Sequence, residues 1–176
     1  EDKMLLIGSC FSDEIGEKLI NLKFNILQNP NGILYDPISI VDALFSYIEN
    51  KTYQAEHLFE LNGLWHSWQH HSLFSGIDQN EVLEKINMSQ VEAHHFLKKA
   101  NFLIITFGTA FKYQLKNTRE DVANCHKAPA AFFEKILLPT KEITSSVLST
   151  LTALEEFNPD LKIIFTISPV KHVKDG

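Results

Sequence analysis

The order of apolar runs and amphipathic stretches predicts an α/β protein of three layers, α/β/α, around a mostly parallel sheet. Three observations carry this. Short apolar runs of strand length recur at residues 4–8, 24–27, 101–108 and 161–168. Between them lie stretches whose apolar residues are spaced three and four apart, the helical period. Strands that alternate with helices in this way imply parallel pairing with both sheet faces covered. At 176 residues the chain reads as one domain, 1–176, with no internal repeat and no low-complexity tract.

Taken in order, the first strand, residues 4–8, ends at Gly8, which tolerates unusual backbone angles. Ser12 can cap a helix, with Asp13 and Glu14 acidic in its first turn and Ile15, Leu19 and Leu22 on one face, to about Lys23. Residues 24–27 form a second strand with 28–32 as its loop. A helix over 37–47 starts at Asp36 or Pro37 and sets Ile40, Ala43, Leu44 and Tyr47 inward. Residues 51–76 are irregular, rich in aromatics and histidine, with room for a short hairpin. A helix over 80–100 faces inward with Val82, Leu83, Ile86, Val91, His94 and Leu97, and residues 87–89 are a point of interruption. Residues 101–108, Asn-Phe-Leu-Ile-Ile-Thr-Phe-Gly, are the clearest buried strand. A long connection follows, 109–129, then a short helix over 130–137. A helix over 139–157 packs with Val147, Leu148, Leu151 and Leu154, and a strand over 161–168 is closed by Pro169.

Composition narrows the partners. The chain is 44% hydrophobic and 22% charged, an ordinary globular balance. A net charge of -6 with no basic stripe argues against nucleic acid. No apolar run is long enough to span a bilayer, so no membrane partner is expected. Two cysteines far apart make no disulfide framework, and free thiols in a reducing cytoplasm are the expectation. The start Glu-Asp-Lys-Met shows no signal-peptide pattern and leaves the native N-terminus open.

In open sheets of this class ligands bind outside the carboxyl ends of the strands. That rule groups Ser9 and Cys10, the loop 29–32, Gly108 and Thr109, and residues 168–172. Ser9 and Cys10 fall where a strand delivers the chain to a helix N-terminus, with free backbone N–H groups and a dipole that favours an anion. A thiol there is more reactive. The alternatives are a small buried Cys10 packing under the helix and a Ser9 that only bonds the local backbone. His66 and His70 have four-residue spacing, and Cys125-His126 could add metal ligands, but Ser67-Trp68-Gln69 supplies no Glu between the histidines. No metal and no cofactor are expected.

The turn Gly8-Ser9-Cys10-Phe11-Ser12 resembles the signature of the GSCFA family, whose usual fifth residue is Ala. Further matching blocks are Asn29-Pro30-Asn31-Gly32-Ile33-Leu34-Tyr35, Asn62-Gly63-Leu64-Trp65-His66-Ser67, Asn124-Cys125-His126-Lys127 and Ser168-Pro169-Val170-Lys171-His172. That family resembles the SGNH (GDSL-type) hydrolases, which implies a flavodoxin-like sheet. The resemblance places Cys10 where the nucleophile stands, with Ser9 as its competitor, and implies that a Gly32 N–H faces the oxyanion. Where SGNH hydrolases carry Gly-x-Asn, this chain reads Gly108-Thr109-Ala110, so Thr109 or Asn124 would have to replace the Asn. The C-terminal Asp-x-x-His of those enzymes is absent, and the chain reads as lacking the last strand and helix. His172 and His126 are then the candidate bases, and His66, with His70 and His71, a candidate pocket wall. The implied function is acyl hydrolysis or transfer on an ester of a small molecule or carbohydrate. The alternative is a ligand-binding or scaffold module on the same fold.

Overall fold

The computed structural model describes residues 2–168. Its centre is a four-stranded sheet of β1 (Lys3–Gly8), β2 (Asn25–Gln28), β5 (Phe102–Phe107) and β9 (Lys162–Ile167), in the order β2-β1-β5-β9. Every pairing in it is parallel, and β1 aligns with β5 from Met4 opposite Phe102 to Gly8 opposite Thr106.

Four helices flank it: α1 (Cys10–Asn21), α2 (Pro37–Glu49), α3 (Gln79–Leu97) and α4 (Thr140–Phe157). The chain steps one way from β1 to β2, then returns past β1 to β5 and β9. Right-handed crossovers in opposite directions put helices on opposite faces. One face carries the main core, where Leu5, Ile7, Leu103 and Ile105 meet Ile40 and Leu44 of α2, Ala93 and Leu97 of α3, and Leu154 of α4. On the other face α1 lies against β1, β2 and β5. The three-layer arrangement follows from strands that are apolar on both sides: Leu5, Leu6 and Ile7 are all fully buried.

Local chemistry explains the helix ends. Asp36 caps α2, accepting from the Ser39 amide at 2.9 Å, and Pro37 takes the first helical position. Asn50 closes α2 in the left-handed region, φ 48°. Asp78 caps α3 through the amides of Asn80 and Glu81. The expected break at 87–89 does not occur. Asn87 instead holds Tyr53 through both its amide and its carbonyl, at 2.8 and 3.0 Å, and Ser89 donates to the Pro30 carbonyl at 2.7 Å. Three residues expected inside are exposed: Leu22 at 70%, Val91 at 44% and Leu148 at 58%. In α3, Gln90 and Ala93 take the inward places that flank Val91.

Two small sheets sit in the connections. The aromatic segment folds as a hairpin, β3 (Phe59–Leu61) and β4 (Leu64–His66), turned by Asn62-Gly63 with both residues at positive φ. Between β5 and α4 runs an antiparallel sheet of β6 (Phe111–Leu115), β7 (Asp121–Val122) and β8 (Phe133–Leu137). The helix expected over 130–137 is therefore a single 3-10 turn, Ala130–Phe132, followed by strand β8. Pairing with β6, which sets Phe133 beside Leu115, overrides the local helical preference.

Candidate functional site

The strand β1 ends against β5 with no space for a side chain. A Cβ on Gly8, which has φ 139°, would lie 2.1 Å from the Thr106 carbonyl oxygen. Ser9 follows as the N-cap of α1, its amide donating to that same oxygen at 3.2 Å. The helix thus begins at Cys10, ahead of the expected cap at Ser12. Ser12 lies inside the first turn, and its Oγ, like that of Ser9, is buried without a hydrogen-bond partner among the described residues. Ser9 is 1% exposed, whereas the Cys10 side chain is half-buried. The amides of Cys10 and Phe11 are the first of the helix and have no intrahelical acceptor.

Asn29 holds this turn in place, a role not foreseen from the sequence. Its Oδ1 accepts from the Gly8 amide at 2.8 Å, and its Nδ2 donates to Asp13 at 2.6 Å. Its own amide donates to the Leu6 carbonyl at 2.8 Å. One residue with φ 42° therefore joins the end of β1, the first turn of α1 and the loop after β2. Such a position favours Asn, which adopts positive φ and carries both a donor and an acceptor.

The Gly32 amide, which the resemblance implied faces the oxyanion, is engaged within its own loop. It donates to the Asn29 carbonyl at 2.7 Å, closing a tight turn. A Cβ on Gly32, at φ 77°, would lie 2.2 Å from the Cβ of His71. This loop is joined to the aromatic segment: the His71 amide donates to the Asn31 carbonyl at 2.8 Å, and the Asn31 side chain links the Tyr47 hydroxyl to the Gln69 carbonyl.

Gly108 and Thr109 come to the Cys10 turn through Tyr35. Both amides donate to the Tyr35 carbonyl, at 2.8 and 3.1 Å, and the Gly108 Cα packs beside the Tyr35 ring and Ser9. Burial pushes the Tyr35 phenol up, and the nearby negative charges of Cys10 and Asp13 add to the shift, so the phenol stays protonated at neutral pH. Tyr35, Thr109, Asn124 and Cys125 line one cavity of about 260 Å³ with Phe111 and Tyr113. Burial pushes the Cys125 thiol up to about 11, so it presents as a neutral thiol. The sequence-predicted residues Thr109 and Asn124 thus share a cavity, which no residue of the Cys10 turn lines. Two of their atoms are already used locally: Thr109 Oγ1 accepts from the Phe111 amide and Asn124 Oδ1 from the His126 amide.

The histidines gather elsewhere. His126 donates from Nε2 to the Ser67 carbonyl at 2.7 Å, while its Nδ1 is buried without a partner among the described residues. Its ring lies 4.6 Å from that of His66, beside Phe59 and Trp68. Burial lowers its pKa to about 4, so it stays neutral. His66 bonds Ser75 Oγ at 2.7 Å and the Leu61 carbonyl at 3.3 Å. Neither ring lines the Thr109–Asn124 cavity, and neither hydrogen-bonds Cys10. Among the described residues no three His, Cys, Asp or Glu side chains converge to hold a metal ion. His172 lies outside the described residues. No helix among them is long and apolar enough to cross a membrane.

The sequence model of the GSCFA family matches residues 3–176. No curated protein and no solved structure matches the chain.

Proposed function

The chain belongs to the GSCFA family, and from that premise we propose that it is an SGNH-like acyl hydrolase or acyltransferase acting on an ester of a small molecule or carbohydrate. The observation that carries this reading is the placement of Cys10. It is a half-buried thiol at the start of α1, on the carboxyl edge of the sheet where the strand order reverses, and its neighbour Tyr35 lines a cavity with Thr109 and Asn124. Ser9, fully enclosed, is the weaker nucleophile.

In this reading Cys10 gives its proton to solvent and attacks the ester carbonyl carbon as the thiolate, which hydrolysis of the thioester later regenerates. A C–S bond forms, and the carbonyl oxygen takes the negative charge beside the Cys10 and Phe11 amides. Collapse breaks the C–O bond to the alcohol, which leaves with a proton from Tyr35, whose ring lies with Ser9 around Gly108. Water, or an acceptor alcohol, then cleaves the thioester and returns a proton to Tyr35. The test is turnover of p-nitrophenyl acetate together with alkylation by iodoacetamide. Cys10→Ala should abolish turnover and selective alkylation, while Ser9→Ala should keep both. Full turnover in Cys10→Ala would overturn the assignment.

One observation favours a second reading, a binding module without chemistry: among the described residues no imidazole hydrogen-bonds Cys10, and the Gly32 amide is spent within its own turn. That reading predicts thermal stabilisation by acylated sugars without release of acid.

A further inference from the structure

The cavity of about 260 Å³ that holds Thr109 and Asn124 is floored by one face of the antiparallel sheet. Residues two apart on a strand share a face, so Phe111 and Tyr113 of β6 lie together there. Val122 of β7 and Lys135 of β8 each pair with Tyr113 and join the same face. The floor is aromatic and apolar, and the Lys135 Nζ sits over it, 4.2 Å from the centre of the Phe111 ring. Lys135 and Tyr113 are exposed and form the rim, whereas Thr109, Asn124 and Cys125 are half-buried.

What the wall offers a ligand follows from the hydrogen bonds it already makes. Asn124 Oδ1 accepts from the His126 amide at 2.9 Å, while its Nδ2 has no partner among the described residues, so the NH2 group is left unspent. Thr109 Oγ1 accepts from the Phe111 amide at 3.1 Å, which leaves its O–H to donate. The Lys135 ammonium only donates, and the neutral Cys125 thiol is a weak donor. The carboxyl in the lining, Asp36, is buried and already taken: its two oxygens accept from the Ser39 amide and hydroxyl, at 2.9 and 2.6 Å. Unspent donors and an ammonium above aromatic rings complement a negatively charged acceptor group on an apolar body.

We infer that this cavity binds an organic carboxylate, its charge meeting Lys135 and the Asn124 NH2 group and its apolar body resting on Phe111 and Tyr113. The site stands independently of the chemistry proposed for Cys10; joined to that chemistry, it selects an ester that carries a carboxylate.

The probe is benzoate, titrated into the whole 176-residue protein at neutral pH and low salt and followed by calorimetry. Benzyl alcohol and benzylamine are the neutral and cationic counterparts of similar shape, and inorganic phosphate is an anion without the apolar body. The expected result is saturable binding of benzoate in preference to all three, weakened by high salt. Lys135→Gln should weaken it about threefold, the modest share of an exposed charge. Asn124→Asp keeps an acceptor for the His126 amide but replaces the donor by a negative oxygen, and should weaken it about tenfold or more. Lys135 is exposed, so its variant tests the site even where Asn124→Asp fails to fold, which circular dichroism reports. Cys10→Ala should bind benzoate as the parent does, so loss of binding and loss of turnover are separate failures. Absence of saturation, equal binding of any of the three controls, or unchanged affinity in Lys135→Gln or in folded Asn124→Asp would overturn the proposal.

Discussion

Asn29 is a single side chain on which three elements converge, and its removal is the most informative residue-scale change outside Cys10, the proposed nucleophile. In Asn29→Ala the Gly8 amide loses its acceptor in a buried site and Asp13 loses its donor. A buried donor left unpaired costs about 1–3 kcal/mol, so the midpoint of urea unfolding should fall accordingly. Cys10 alkylation should also slow or lose selectivity, because the turn that presents the thiol is no longer clamped. Unchanged stability would mean that the clamp is dispensable. Ser9→Ala is expected to act in the opposite sense. The Ser9 Oγ is buried without a partner, so replacing the hydroxyl by hydrogen relieves an unmet polar group and should leave stability equal or raised. A Tyr35→Phe variant tests the proton donor: loss of turnover with alkylation retained supports that role, and full turnover removes it.

At the scale of elements, the contact between β1 and β5 sets the geometry of the turn. Gly8→Ala would place a methyl group 2.1 Å from the Thr106 carbonyl oxygen at a positive φ, so the strands must part or the turn must move. We expect a loss of about 3 kcal/mol or more, or no soluble folded protein, measured by thermal unfolding. These same elements show what the sequence discloses. The strand runs at 4–8 and 101–108 and the capped helix after Asp36 are local signals, apolar runs bounded by turn and cap residues, and each is found in place. The segment Ala-Ala-Phe-Phe-Glu-Lys-Ile-Leu reads as helix on its own, yet it becomes β8 because β6, about twenty residues earlier, offers a paired edge. Residues 87–89 read as a break in α3, yet the side chains of Asn87 and Ser89 bind Tyr53 and Pro30 and leave the helix whole. The site divides in the same way. Cys10 at a helix start was legible because strand, glycine and helix are contiguous. The Gly32 amide is taken up by the turn that closes on the Asn29 carbonyl, and the place of His66 and His126 depends on the folding of the whole aromatic segment, neither of which spacing encodes.

For the whole molecule, the buried histidines dictate the response to acid. His70 is 1% exposed, bonded to Ser67 Oγ and edge-on to Tyr53. Burial lowers its pKa from 6.5 to about 3, with Lys51 and His126 adding to the shift. Its folded pKa lies below its unfolded one, so the unfolded chain binds the extra proton. The stability is therefore fully present above pH 6.5 and is lost as pH falls toward 3. His126, lowered to about 4, acts in the same direction. Asp42 opposes them: its folded pKa of about 6 exceeds the usual 3.8, so between those values the folded state holds the extra proton and gains as pH falls. Between pH 6.5 and 5 His70 alone accounts for about 2 kcal/mol of lost stability. Urea unfolding at both pH values should show a net loss in the parent protein. In His70→Gln, which keeps a polar group near Ser67 without a titratable ring, the difference between the two pH values should shrink by about that amount, even if the variant is less stable throughout. Parallel pH profiles for parent and variant would show that His70 is not held neutral by burial.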